Sequence, residues 1–432
     1  MASSLAQSGP AVERPTRVRH WVIVFAAALA VITYIDRVSI SFAAPFIRHD
    51  LGLSAVQMGW AFAAFGWAYA LCEIPAGYLG DRLGPRKVLI RIVLWWSVFT
   101  AATGWAWSFT SLTVTRFLFG MGEAGCFPNL TKAFSAWMPG HERVRAQGFM
   151  WISTRWGAAL TPPLVALVMR VVGWRHAFEV FGCLGVIWAV AFHGWFRDNP
   201  MDHPKLNAAE RELLAKGAKV ASVHALVPWG KLLRSRQAWM LCGQYFCHSY
   251  GWYFYLTWLP SYLREGRHQA IASTALLSAL PLFLAGLGDP VSVLVSGRLA
   301  RTLGMARGRR LLAYAGFTGA SGFLVLSTRI GDPLAAVFAI GLAAFALELV
   351  MPLAWASTMD VGGQYSGTVS GAMNMVGNIG GALSPLAIGY MLAWTNNNWN
   401  LIFYVSAVVQ FLGILCWAFL DPVTPFDVQA EA

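Results

Sequence analysis

The chain has 432 residues, 57% hydrophobic and 12% charged, with a mean hydropathy of +0.53, more apolar surface than a soluble core of this size needs. Part of that surface must face lipid. The net charge of +12 does not argue for nucleic acid, because basic residues in a membrane chain mark cytoplasmic loops beside anionic head groups.

Apolar stretches of roughly 20 residues, long enough to cross a hydrocarbon layer, recur from Trp21 to Leu420. Segments such as Ile23–Ile32 and Leu334–Ala346 are apolar on every side, unlike the dyad alternation of a membrane β-barrel. Twelve helical spans are predicted, at about 20–46, 55–80, 87–108, 110–137, 143–169, 175–196, 238–263, 270–299, 309–328, 333–358, 365–393 and 399–420.

The first span runs directly into Asp36 and Arg37 with no small-residue cleavage site, so it is expected to stay attached. The six cysteines (Cys72, Cys126, Cys183, Cys242, Cys247 and Cys416) fall inside predicted spans with no metal-ligand spacing beside histidines, so neither a disulfide framework, a metal site nor a cofactor is expected.

Basic residues concentrate in alternate loops: Arg82, Arg86, Lys87 and Arg91 after span two, Arg143 and Arg145 after span four, Arg197 through Arg236 after span six, and Arg298 through Arg310 after span eight. The positive-inside rule then places both termini in the cytoplasm, in a bacterial-type inner membrane with lipid as its surroundings. The longest polar segment, about Asp198 to Gln237, divides the chain six plus six. The expected organisation is an amino-terminal bundle over 1–197, a cytoplasmic linker over 198–237 with a short amphipathic helix at Asn207–Lys219, and a carboxy-terminal bundle over 238–432. The turn after span two, Gly77-Tyr78-Leu79-Gly80-Asp81-Arg82-Leu83-Gly84-Pro85-Arg86-Lys87, is echoed after span eight by Gly297-Arg298-Leu299-Ala300-Arg301-Thr302-Leu303-Gly304, an internal repeat.

The first of these turns resembles the signature loop of the major facilitator superfamily, and the resemblance covers the whole chain. It implies an all-α membrane protein with twelve transmembrane helices in two six-helix bundles. In this turn Gly77 permits close helix approach, Gly84 permits a tight turn, and Asp81 is expected to cap a helix or to pair with an arginine, Arg82 and Arg86 being at hand, as a breakable latch at the inner face. The second copy carries Arg301 in place of the aspartate, so the latch is expected to be stronger in the first half.

Ionisable residues at bilayer depth are costly and therefore candidates for a transport path. Span one holds Asp36 and Arg37; span four holds Arg116 and Glu123, two helical turns apart on one face that also carries Gly120. Tyr34-Ile35-Asp36-Arg37, Leu71 through Gly77, Arg116 through Ala124, Phe127-Pro128-Asn129, Leu256 through Tyr262 and Asn374 through Gly381 together resemble the anion:cation symporter family of facilitators. That family includes bacterial sugar-acid and hexuronate carriers and the sialic-acid and vesicular-glutamate carriers of animals.

The resemblance implies that Arg37 binds the substrate, that Asp36 and Glu123 accept protons, and that Arg116 partners them. It adds Tyr34, Tyr69, Gln244, Ser249, Trp355 and Asn374 to the substrate pocket. A guanidinium holds a carboxylate by paired hydrogen bonds without titrating, whereas a carboxyl releases its proton. Competition between substrate and Glu123 for Arg37 would couple the two fluxes.

Arg155, in span five, departs from the sugar-acid pattern, which has a neutral amide there. It either receives a second acid group of the substrate or pairs with Glu348 in span ten. Glu73 is expected to join the inner latch, and His248 to pack between helices. No Walker loop, nucleophile–base pair or metal cluster appears in the sequence, so neither ATP-driven transport nor an enzyme is indicated. The expected function is proton-coupled symport of a small organic anion by a monomer; the alternative is an exporter or exchanger of the same fold.

Overall fold

The computed structural model describes residues 14–217, 229–362 and 366–425, and every regular element within them is a helix. In the first half these are α1 (His20–Leu51), α2 (Ala55–Leu83), α3 (Pro85–Gly104), α4 (Phe109–Glu123), α5 (Cys126–Trp137) and α6 (Gly140–Trp195). The linker carries α7 (Ala208–Gly217) and α8 (Trp229–Arg234). The second half contains α9 (Arg236–Thr257), α10 (Leu259–Ser261), α11 (Ile271–Leu303), α12 (Met305–Ser327), α13 (Pro333–Glu348), α14 (Met351–Gly362), α15 (Ser366–Trp394) and α16 (Trp399–Phe419).

These helices make twelve spans. The continuous α6 contains spans five and six, which meet at Gly173, where φ is +77° and ψ 170°. That backbone is open to glycine and strained for other residues, so the chain turns without a loop. Among the described residues, seven stretches are long and apolar enough to cross a membrane by length and composition.

Spans four and ten differ from the sequence expectation of continuous helices. Span four ends as α4 at Glu123 and resumes as α5 at Cys126; span ten ends as α13 at Glu348 and resumes as α14 at Met351. Gly125 explains the first break: its φ is +85°, and a Cβ there would stand 2.5 Å from that of Ala76. At the second, Leu349 and Val350 tighten into i→i+3 bonds, and Ser292 Oγ of α11 donates to the Leu349 carbonyl at 2.6 Å. A break at membrane depth is tolerated where it is buried in protein or lines a cavity.

The internal repeat extends to backbone geometry. Gly84 and Gly304 precede α3 and α12 with the same φ of +82°. A Cβ on Gly84 would meet the Asp198 carboxylate at 2.7 Å, and that carboxylate accepts the Arg86 backbone N–H at 2.8 Å, capping the start of α3. Linker helix α7 holds α1 in the same way: buried Glu210 accepts the backbone N–H groups of Val18 and Arg19 at 3.3 and 3.2 Å and the Arg19 guanidinium at 2.9 Å. Arg19 also donates to Glu142 at 2.8 Å, and this bond, more than that to Glu210, holds its pKa above the usual arginine value.

The two halves meet along α2–α15 and α6–α11, with α1 crossing α9 and α10. At the end bearing Arg48 the seam is shut by small residues. A Cβ on Gly59 would lie 2.8 Å from the Pro385 carbonyl, one on Gly389 2.7 Å from that of Ala55, and one on Gly66 2.8 Å from Ala382. Arg48 pairs with Glu265 at 2.8 Å across the same end, and Trp258 packs edge-on against Phe62 while donating to the Pro385 carbonyl at 3.1 Å. Close backbone approach through small residues is the usual route to helix packing in lipid.

Candidate functional site: a central cavity with two arginines on its wall

Between the halves lies a cavity of about 670 Å³, a size suited to a small molecule. Its walls come from α1, α2, α5 and α6 on one side and from α9, α14 and α15 on the other. It extends from mid-span toward the end opposite Arg48, where Thr131, Met359, Ser370 and Gly371 line it.

Arg37, on α1, is the first cation of the cavity wall. Its Nε donates to Glu123, whose side chain is fully buried while that of Arg37 is 11% exposed. Aromatic faces surround the guanidinium, with its carbon 4.9 Å from the ring centre of Tyr69, 5.1 Å from Phe65 and 5.4 Å from Tyr34. These rings exclude water and favour a cation by their quadrupoles, and they leave Arg37 on the cavity wall. The placement of Glu123 follows from the break in span four: α4 ends there, and the terminal carbonyls attract a cation.

Asp36 and Arg116 sit behind this pair, both buried and outside the cavity wall. Asp36 has Glu123, Arg116 and Trp96 for neighbours, and neither of its carboxylate oxygens makes a hydrogen bond among the described residues. The Arg116 guanidinium stands over the ring of Phe119, 4.2 Å from its centre.

Arg155, on α6 of the same half, is the second cation of the cavity wall. It donates to Glu348 at 2.7 Å, approaches Asp289 at 3.7 Å and lies over Trp252, 4.4 Å from its ring centre. It thus pairs with Glu348 and lines the cavity at once, so the two sequence expectations for this residue are not exclusive. His248 also lines the cavity, with Nε2 3.7 Å from Glu348 and its ring parallel to that of Tyr245.

Tyr34, Tyr69, Ser249, Trp355 and Asn374 all reach the cavity. Gln244 does not: it is buried between helices, donating to the Leu241 carbonyl at 3.1 Å and accepting from Trp417 at 3.2 Å. Gly77, Asp81 and Arg82 lie outside the described side chains, while Arg86 donates to the His193 carbonyl.

Glu73 lies in the cavity wall, where it accepts from Asn374 at 2.6 Å and from Asn378 at 3.4 Å. It therefore bridges α2 to α15 across the seam. The sequence signal was present in its position, two turns of helix or less from Tyr69 and ahead of Gly77, but only the α2–α15 packing supplies the partner amides. Trp252, Tyr253 and Asn378 are further lining residues not selected from sequence; the aromatic run Tyr250–Tyr255 is the signal that could have found the first two.

Comparison with known proteins agrees with this architecture. The family profile of the Major Facilitator Superfamily matches residues 26–385. The chain is 36% identical to a probable sulfoacetate transporter of Cupriavidus necator, over 96% of each chain. It is 30% identical to a probable galactarate/D-glucarate transporter of Escherichia coli, over 94% of each, and 28% identical to a hexuronate transporter of Bacillus subtilis, over 95% of this chain and 97% of the other. Among solved structures, a bacterial homologue of the human lysosomal transporter Spinster, in an inward-facing conformation, superposes with a TM-score of 0.69 at 19% identity, covering 94% of this chain and 95% of that one, a likeness of fold. With twelve helical spans around one central cavity, the chain belongs to the Major Facilitator Superfamily and is a multi-pass membrane transporter.

Proposed function

We propose that the protein is a proton-coupled symporter of a small organic anion with two acid groups, working by alternating access. The observation that carries this reading is that two guanidinium groups, Arg37 and Arg155, line the same cavity from different spans, each already paired with a buried glutamate. Each holds a carboxylate or sulfonate in its planar fork. Two of the three relatives, the probable sulfoacetate and galactarate/D-glucarate transporters, are named for dianions, which supports two acid groups, while the hexuronate transporter is named for a monoanion.

Proton coupling follows from charge. The cavity and its surround hold Arg37, Arg116 and Arg155 against Asp36, Glu73, Glu123, Asp289 and Glu348. Carboxyl groups outnumber guanidiniums before any substrate enters, and an added anion is tolerated at low dielectric only with protons. Residues 1–197 and 238–432 are the two rocking bundles, joined by the 198–237 linker. The basic loops put the open end and both termini in the cytoplasm, so the conformation faces inward in an inner membrane, and one chain holds a complete transport path.

Reconstituted in liposomes, the protein is expected to alkalinise the external medium when sulfoacetate or galactarate is added, and less so with acetate or galactonate, which lack the second acid. Uptake indifferent to pH and to a protonophore would overturn the symport, and equal affinity within each pair would overturn the dianion. Arg155→Gln is expected to weaken galactarate binding roughly tenfold to hundredfold, the loss of about 1.5–3 kcal/mol for a charged hydrogen bond, and to leave galactonate within about twofold. Parallel thermal-shift titrations read this difference, and an equal loss for both would assign Arg155 to helix packing alone.

A further inference from the structure

The two helix breaks fall at corresponding places in the two halves. Span four stops at Glu123 and span ten at Glu348; each glutamate is the last residue of its half-helix, and each is fully buried. Each is also bonded to an arginine on the cavity wall, Glu123 to Arg37 and Glu348 to Arg155. Glu348 therefore stands to its arginine as Glu123 stands to Arg37, with one difference: Arg37 and Glu123 share one half, whereas Arg155 reaches Glu348 from α6 of the first half, across the seam. Discontinuous spans at matching positions of a repeat are where transporters place substrate and coupling-ion sites.

The groups around Glu348 do not balance in charge. Arg155 on α6 is its cation, and Asp289 on α11 faces the same arginine at 3.7 Å. His248 on α9 approaches at 3.7 Å, while Tyr245 and Tyr255 complete the surround from α9. One guanidinium thus serves two carboxyls, and Glu348 Oε1 and Asp289 Oδ1 are buried without hydrogen-bond partners among the described residues. Two glycines hold the groups this close. A Cβ on Gly288 would stand 2.8 Å from that of Glu348, and one on Gly286 3.2 Å from that of Arg155, so α11 is pressed against both α13 and α6.

Resting on the symport reading above, we infer that Glu348 is a second proton site, filled when the second acid group of the substrate takes Arg155. In this step the Arg155 N–H donors leave the Glu348 carboxylate for an oxygen of the incoming acid, and Glu348 takes one proton from the side to which the cavity is open. After the cavity opens to the other side, Glu348 releases that proton and recovers Arg155 as the substrate leaves. No bond other than O–H and N–H···O contacts is made or broken. With Glu123 handling the first acid group, and with Asp36, which lies outside the cavity wall and is bonded to neither wall arginine, keeping one protonation state through the cycle, a dianion crosses with two protons and no net charge, and a monoanion with one.

The test counts protons. Wild-type protein in pH-clamped liposomes is expected to move two protons per sulfoacetate or galactarate and one per galactonate, with dianion uptake unaffected by an imposed potassium diffusion potential. In Glu348→Gln the dianion count is expected to fall to one. The remaining net charge lowers steady accumulation about tenfold for each roughly 60 mV inside-negative. A wild-type count of one for both substrates, which needs no variant, overturns the second site and leaves the symport standing, as does a count of two in Glu348→Gln. Proton flux with neither substrate overturns the symport reading itself.

Discussion

Replacing Arg37 with alanine is expected to abolish measurable substrate binding, a loss of about a hundredfold or more in affinity. The magnitude follows from its setting. The side chain is 11% exposed, bonded to fully buried Glu123 and enclosed by Tyr34, Phe65 and Tyr69. Removing one partner from a buried ion pair costs about 3–5 kcal/mol, and binding loses at least the share that the substrate would have drawn from the same guanidinium. Lysine is expected to restore little, because an ammonium offers no planar fork and is more strongly hydrated. Thermal-shift titration of detergent-purified variants reads the effect: an affinity within about twofold of wild type would remove Arg37 from the site. Retained helicity and monodispersity separate loss of binding from loss of fold.

Glu123→Gln is expected to behave in the opposite way, binding and exchanging substrate while failing to concentrate it. Glutamine keeps the volume of the side chain and an oxygen to accept from Arg37, but it neither carries a proton nor competes as an anion for the guanidinium. Counterflow in preloaded liposomes is therefore expected to stay within about threefold of wild type, an order-of-magnitude allowance for the altered hydrogen bond. Accumulation driven by a one-unit pH gradient is expected to drop by about tenfold for the one coupled proton lost, since one unit is worth about 1.36 kcal/mol. Loss of counterflow together with accumulation would make Glu123 a structural partner of Arg37 rather than a coupling group. The contrast between the two variants, one losing binding and the other only its drive, is what distinguishes a site built on competition from a pair of ions that glues helices.

Much of the fold was legible in the one-dimensional pattern. Lipid demands that backbone polar groups be satisfied within each segment, so a chain with apolar runs of this length reads directly as helices, and the signature turn around Gly84 with its echo at Gly304 announces the repeat. The charges of spans one and four stood out because their desolvation is expensive wherever the helices pack. The breaks in spans four and ten were less visible. Gly125 and the short Leu349–Val350 turn are local features inside apolar runs, and only contact with Ala76 and Ser292 shows that the interruptions are supported. In sequence Glu73 belongs with the latch, because its neighbours there are Gly77 and Asp81; in space its neighbours are Asn374 and Asn378. Gln244 enters the expected pocket through the family resemblance alone, yet the rotation of α9 turns it toward Trp417, while Ser249 and His248 on the same helix face the cavity.

Composition, periodicity and the paired glycine turns by themselves determined that this chain crosses a membrane twelve times as two related halves, and which charged residues lie at depth. The tertiary structure decided how those charges are partnered: Arg37 with Glu123, Arg155 with Glu348 and Asp289, and Glu73 with the amides of α15. The reason is that hydrophobicity is a property of each segment alone, whereas the energy of a buried charge depends on what stands within a few ångströms of it, and those neighbours come from helices distant in sequence.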